Sequence, residues 1–277
     1  MTLEATVADH YTTGDLTGRI KAALTDLGVD LDTATAEDLK AGDEFHTGGV
    51  LATNALLEFL TITPDTRVLD IGCGIGGPAR LLASRYGCKS TGVDLTQEFI
   101  DTANDLSAMV GLADQTTFLQ GSALDLPVAD GSADLALLLH VGMNIEDKAR
   151  VFTEAYRVLS PGGTFAIFEV MRGADASSDL VFPLPWSSVP ETSFVTPADA
   201  YTDAAEKAGF TLTHERDRTQ FAKDFFAETF RKIAADGPPR LGIGLMMGAT
   251  AGEKLGNYSK NLDVDRVAPV EMIFRKG

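Results

Sequence analysis

The stretch DIGCGIGGPAR, Asp70 to Arg80, holds the first residues in this chain whose types and spacing could do chemistry. Gly72, Gly74 and Gly77 have the G-x-G-x-x-G spacing of a dinucleotide-binding turn, and Gly76 adds a G-x-G-x-G reading of the same segment. Glycines at such a turn let the backbone come close to a ligand. An acidic residue, Asp70, closes the apolar run just before them, and a second, Asp94, ends the next apolar segment, where it can accept hydrogen bonds from two ribose hydroxyls.

The position of Asp70 separates two classes of ligand. A nicotinamide or flavin dinucleotide would bring a doubly negative pyrophosphate to the turn, and a carboxylate at the strand tip repels it. S-adenosylmethionine carries an ammonium and a sulfonium and no phosphate, so the same carboxylate attracts it. Asp94 serves either ligand. Some sixty residues of mainly helical sequence also precede the turn, whereas a dinucleotide fingerprint commonly opens its domain.

Elements of fixed order must position these groups. Short apolar runs predict strands at Arg67 to Ile71, Lys89 to Asp94, Thr116 to Gln120, Leu135 to His140 and Thr164 to Val170. Helical patterns fit between them at Gly77 to Tyr86, Gln97 to Val110 and Lys148 to Leu159, the last stopped by Ser160-Pro-Gly-Gly. This alternation predicts an α/β fold with a doubly wound, Rossmann-like seven-stranded sheet, mostly parallel, with one antiparallel edge strand at Val267 to Phe274. Helices are also expected at Pro197 to Ala208 and Thr219 to Ala235, with an alternating segment near Phe210 to Arg216. Residues 1–60 read as an N-terminal helical cap and 61–277 as the core, with cap insertions at about 172–197 and 219–262. A loop as long as the first insertion is usually functional or disordered, and its tryptophan and prolines favour function.

Composition narrows the partners. Forty acidic residues against 23 basic give a net charge of −17, which argues against nucleic acid, because such binding draws on Lys and Arg. The same excess suits a protein living in high salt. No run approaches the roughly 20 apolar residues of a membrane span, and no signal-peptide pattern is seen, so a cytoplasmic protein without a membrane partner is expected. Cys73 and Cys88 are too few and too badly spaced for zinc, no cluster has metal-ligand spacing, and both read as buried thiols. The oligomeric state, monomer or homodimer, is left open.

The segments VLDIGCGIGGPARLLASRYGCKSTGVDLTQEFIDTA and FLQGSALDLPVADGSADLALLLHVGMNIEDKARVFTEAYRVLSPGGTFAIFEV together resemble a class I S-adenosylmethionine-dependent methyltransferase. The match is to the small-molecule branch that includes sarcosine/dimethylglycine, phosphoethanolamine and ubiquinone-type enzymes. The resemblance implies that Asp70, Gly72, Gly74 and Gly76 hold the methionine half of S-adenosylmethionine. It further implies that Asp94 takes the ribose and Leu95 packs on the adenine. Family members commonly place an acidic residue near the adenine amino group; Ser122-Ala123 stands there in this chain, which implies recognition through backbone groups and a hydroxyl. DEFHTGG resembles a Ser/Thr-Gly-Gly element that touches the methionine end, making Thr47 and Gly48 further cofactor candidates. Tyr11 resembles a tyrosine that closes over the cofactor, with plain packing as its other reading.

Methyl transfer needs an aligned acceptor and excluded water, and a base only where the acceptor is protonated or weakly nucleophilic. His140, at a strand end, is the candidate catalytic residue; orienting the acceptor, touching the cofactor or a structural role are its other readings. Asn144 could orient an acceptor or cap a helix, and His46 could face the pocket or solvent. Trp186 and Phe182 could line an acceptor pocket or anchor the long loop. Met246 and Met247 could line a pocket or fill the core. The expected function is methylation at nitrogen, oxygen or sulfur of a small metabolite, with an amine of the sarcosine/dimethylglycine type first. C-methylation of an isoprenoid, quinone or natural-product ring is the alternative, with aromatic faces suiting a cation and a wide apolar pocket suiting a ring. A non-catalytic cofactor-binding protein is a remote third.

Overall fold

The computed structural model describes residues 2–277. Four helices come first: α1 (Leu3–Tyr11), α2 (Leu16–Asp26), the short α3 (Ala36–Leu39) and α4 (Val50–Leu57). Then follow β1 (Arg67–Ile71), α5 (Gly77–Tyr86), β2 (Lys89–Asp94), α6 (Gln97–Met109), β3 (Thr116–Gln120) and β4 (Ala133–Leu139). The second half holds α7 (Lys148–Val158), β5 (Leu159–Arg172), α8 (Ala198–Ala208), β6 (Phe210–Asp217), α9 (Thr219–Asp236), the short α10 (Gly244–Met247), α11 (Ala251–Asp263) and β7 (Val267–Lys276).

The seven strands form one sheet in the order β3-β2-β1-β4-β5-β7-β6. Strand order reverses between β1 and β4, which pair in parallel, so the crevice where open α/β sheets bind ligands lies at the tip of β1, where Asp70 sits. Antiparallel pairing is confined to β7, which runs against both β5 and β6. It therefore stands one place in from the margin, and β6 forms the margin itself. The fully buried Glu271 of β7 pairs with Arg216 and Arg218 at that end and fixes β6 against it.

Of the boundaries that differ from the sequence reading, two have identifiable physical reasons. The strand after α7 begins at Leu159, before the Pro-Gly-Gly turn, because Leu159 pairs with Ala133; the ladder then shifts and resumes at Leu135 and Thr164. Residue 140 lies just beyond β4, with φ of 57°, a left-handed conformation uncommon for a residue with a side chain. That turn takes the His140 side chain out of the strand alternation.

The core splits by the two faces of the sheet. Phe152, Phe165, Tyr201, Phe210 and Phe274 pack on the α7–α8 side, and Leu56, Leu82, Leu137 and Phe168 on the α4–α5 side. A third cluster holds Trp186, Phe226, Met247, Leu255 and Tyr258 together, so the long loop after β5 is packed against α9 and α11. Its C-terminal end is tied to the turn after β4 as well: Lys148 Nζ donates to the carbonyls of Phe194 at 2.9 Å and Gly142 at 2.8 Å. Burial lowers the Lys148 ammonium to about 8 and raises nearby Glu169 to about 7, so desolvation outweighs their mutual attraction in both. Both cysteines are free and buried.

Candidate active site

The β1–α5 turn owes its shape to glycines with different duties. Gly72, Gly74 and Gly76 have φ of 71°, 53° and 86°. A Cβ on Gly72 would lie 2.3 Å from Val141 Cγ2, and one on Gly76 would lie 2.6 Å from the Phe118 ring, so packing excludes a side chain at both. Gly77 makes room for the Asp43 carbonyl, which its Cβ would meet at 2.1 Å. At Gly74 alone a Cβ would meet nothing within 4 Å, because that position opens into a cavity. Gly76→Ala is therefore expected to lower stability by roughly 2 kcal/mol or more through overpacking and strain. Gly74→Ala should cost only about 1–2 kcal/mol of stability for its left-handed backbone, with its larger effect on ligand affinity. Denaturant midpoints beside calorimetric titrations check the contrast; a Gly74→Ala protein with unaltered affinity refutes it.

The turn is held from behind by Arg80, which is fully buried. Its guanidinium donates to the Ile75 carbonyl at 2.6 Å, the Ala103 carbonyl and Ser107 hydroxyl at 3.2 Å each, and the Asp43 carboxylate. Turn, α6 and the segment before α4 thus share one cation. Nothing in the sequence pattern marks Arg80 or Asp43, since both look like ordinary surface charges until the chain folds.

The cavity beyond Gly74 has a volume of about 250 Å³. Among the described residues seven carboxylates and no lysine or arginine line it. Asp70 is 1% exposed, and one of its oxygens, Oδ2, has no hydrogen-bond partner. Burial, reinforced by Glu44 and Asp94, pushes its carboxyl up to about 8. Asp94 accepts the N–H of Gly74 at 2.9 Å and of Thr96 at 2.8 Å, and burial raises its carboxyl too. A chamber of this kind repels phosphate and attracts cations.

A second, smaller space of about 40 Å³ adjoins the first, and Tyr11, Phe45, His46 and His140 form the wall that both share. Its remaining lining is Thr47, Met143, Pro185, Trp186, Phe225, Phe226, Ile243, Met247, Leu255 and Tyr258. Tyr258 stands edge-on to Trp186 and to Phe226, with ring centroids at 5.3 and 5.2 Å. No carboxylate, lysine or arginine borders this space among the described residues.

A directed hydrogen-bond chain crosses the shared wall. The Phe168 carbonyl, 3.0 Å from His140 Nδ1, can only accept, so Nδ1 carries the proton and Nε2 presents a lone pair. The Thr47 hydroxyl, at 3.1 Å, donates to Nε2 and in turn accepts from the Tyr258 hydroxyl at 3.0 Å. Burial, with His46 nearby, lowers His140 to about 3, so its ring is neutral at ordinary pH. His46 is held by Glu44 at 2.8 Å. A parallel chain runs from the Tyr11 hydroxyl to Asn144 Oδ1 at 2.9 Å and from Asn144 Nδ2 to the Trp186 carbonyl at 2.7 Å. Asn144 thereby links α1 to the loop after β5.

The larger cavity gathers Asp70, Gly72, Gly74, Asp94, Leu95, Ser122, Ala123, His140, Tyr11, His46 and Asn144. Gly76 stays behind the turn. Thr47 and Trp186 border the smaller space, and Gly48 borders neither, since the Phe221 ring and Ala52 occupy the direction its side chain would take. Met247 lines the smaller space, whereas Met246 packs with α2. Phe182 packs in the loop cluster outside both. Among the described residues no group of three or more His, Cys, Asp or Glu could hold a metal ion, and no helix is long and apolar enough to cross a membrane. Glu4, Phe225, Phe226 and Ile243 line these spaces without any sequence motif. Only the phenylalanine periodicity of α9 could have pointed to two of them.

Residues 69–167 match the family model described as "Methyltransferase domain". That segment is similar to methyltransferase domains. Curated relatives include the chloroplastic tocopherol O-methyltransferase of Arabidopsis thaliana, 42% identical over 36% of this chain and 29% of that protein. The sterol 24-C-methyltransferase of Schizosaccharomyces pombe is 30% identical over 57% of this chain and 43% of its own. The matched region thus spans less than half the length of either relative. Geranyl diphosphate C-methyltransferase from Streptomyces coelicolor A3(2) superposes with a TM-score of 0.71 at 16% identity, covering 100% of this chain and 99% of that one, which shows a shared fold. The matched segment covers most of β1 through most of β5, and the lining of the smaller space lies largely outside it.

Proposed function

We propose that this chain is an S-adenosylmethionine-dependent methyltransferase acting on a small, largely apolar acceptor. The observation that carries the cofactor is the buried, unpartnered oxygen of Asp70 in a chamber that the described residues line with carboxylates and no lysine or arginine. A pyrophosphate would meet uncompensated negative charge there; an ammonium finds its counter-ion. Gly74 leaves the backbone bare at the same place, and Asp94 has lone pairs to offer a diol, so the residues present fit the cofactor. When bound, S-adenosylmethionine supplies a methyl group on a sulfonium, open to in-line displacement.

The chain's own contribution is alignment and exclusion of water. The shared wall of Tyr11, Phe45, His46 and His140 separates the cofactor chamber from the acceptor space. With its Nε2 lone pair taken by Thr47, His140 directs the Thr47 and Tyr258 hydroxyls, which leaves the Tyr258 oxygen free to accept a hydrogen bond from the acceptor. Its depressed basicity supports this orienting role over that of a general base. Among the described residues no basic side chain borders the smaller space, which disfavours phosphorylated acceptors, and no carboxylate does, which disfavours an amine held by ion pairing. An amine remains the second reading, because the faces of Trp186, Phe226 and Tyr258 could stabilise a cationic product.

A methyl-donor assay against phenols, isoprenoids, quinols and amines tests the acceptor; turnover of amines alone would overturn the first reading. On any substrate found, His140→Gln should lower kcat/KM roughly tenfold, the weight of one positioning hydrogen bond, without removing an inflection between pH 5 and 8. Loss of such an inflection would instead make His140 the base. No binding of S-adenosylmethionine or S-adenosylhomocysteine in calorimetry would end the proposal altogether.

A further inference from the structure

We infer that Glu4, on α1, recognises the exocyclic amino group of the cofactor's adenine, which makes the first helix a working part of the cofactor site; this rests on the cofactor assignment above. Beyond Asp94 the larger cavity is lined by Leu95 and Phe99, by Ala123 and Leu124 after β3, and by Leu3 and Val7 of α1. Apolar surface on those segments suits a flat base.

The polar groups at that end have a fixed direction. Ser122 Oγ accepts the Leu124 N–H at 3.0 Å, and its own proton goes to Glu4 Oε1. Ser122 therefore has no donor left for a base. The second oxygen of Glu4 makes no hydrogen bond among the described residues, and Glu4 lines the cavity. A carboxylate oxygen only accepts at neutral pH, so this edge selects an N–H donor, as adenine presents, and disfavours a carbonyl in its place. A carboxylate is thus brought to Ser122 from residue 4, across 118 positions of chain.

The attachment of α1 fits such a role. No residue of the helix is fully buried. Its ties to the rest of the protein include Glu4 to Ser122, Tyr11 to Asn144 and His10 to the Pro185 carbonyl at 3.1 Å; Ser122 and Asn144 line the cofactor cavity and Pro185 lines the acceptor space.

The test is calorimetric binding of S-adenosylhomocysteine and its hypoxanthine counterpart, S-inosylhomocysteine, to the full chain, Glu4→Ala and Glu4→Gln. The parent should prefer the adenine ligand by about tenfold or more, the weight of a hydrogen bond to a charged acceptor. Glu4→Ala should bring the two ligands to within about twofold, mainly by weakening the adenine compound, and Glu4→Gln, whose amide oxygen still accepts, should keep part of the preference. If Glu4→Ala weakens both ligands equally, Glu4 only seats the helix and the inference is wrong; unchanged discrimination overturns it as well. Failure of the parent to bind either ligand would sink the cofactor assignment itself, a result distinct from both.

Discussion

Asp70→Asn is expected to fold as the parent does and to bind S-adenosylhomocysteine roughly 100-fold more weakly, about 3 kcal/mol, the scale of losing a charged partner at a buried site. The change of shape is minimal, and burial already holds the Asp70 carboxyl up at about 8, so near pH 7 the free protein carries a neutral group there in either case. A cationic ligand needs the carboxylate, so binding must release that proton. Affinity for the parent should climb as pH rises toward about 8 and level off above it, while the asparagine variant shows no such climb. Binding enthalpies in two buffers of different ionisation heat report the released proton directly. The same raised value makes this carboxyl a burden on the free fold: the unfolded chain ionises it at its ordinary value, so its contribution to stability falls as pH rises from there to about 8. Asp70→Asn should therefore be at least as stable as the parent at pH 8. A variant that unfolds, or that binds with a parental pH profile, would remove Asp70 from the site.

The second large effect is expected at Arg80→Met. Methionine can occupy much of the buried volume, but it leaves the Asp43 carboxylate, 7% exposed, without its cation, and frees the Ile75 and Ala103 carbonyls. Burial, with the Glu44 charge nearby, raises the Asp43 carboxyl, and Arg80 is what opposes that. Breaking a buried pair by removing one partner costs about 3–5 kcal/mol, which lowers the thermal midpoint of a chain this size by on the order of 10 °C. Adding Asp43→Asn to Arg80→Met should recover part of the loss, since the uncompensated charge goes with it. A single-variant loss below about 1 kcal/mol, or no recovery in the double variant, would show that the cluster is not a bolt for the turn.

Legibility differed by kind of group. The strand–turn–helix around Asp70 was readable because its signals are local: an apolar run, glycines at fixed spacing and a carboxylate at the strand tip. The strands and helices of residues 67–170 followed from periodicity, with differences where a pairing partner decides, as at Leu159, and where the left-handed turn at His140 ends β4. The placement of β7 between β5 and β6 was not readable, because its alternation is the same at a margin or one strand in. Thr47 illustrates the limit at the site: its Ser/Thr-Gly-Gly context pointed to the methionine end of a cofactor, yet its hydroxyl lies between His140 and Tyr258, residues 93 and 211 positions away.

By itself the sequence determined most of the strands and helices, the turn and the charge that turn presents, since each depends on neighbours a few residues apart. Tertiary structure alone decided what closes over them. Glu4 meeting Ser122, Arg80 gathering Asp43 and α6, and Phe225, Phe226 and Tyr258 enclosing the space beside His140 all depend on segments far apart in the chain. Such contacts are set by three-dimensional packing, and no spacing rule along one strand or helix encodes them.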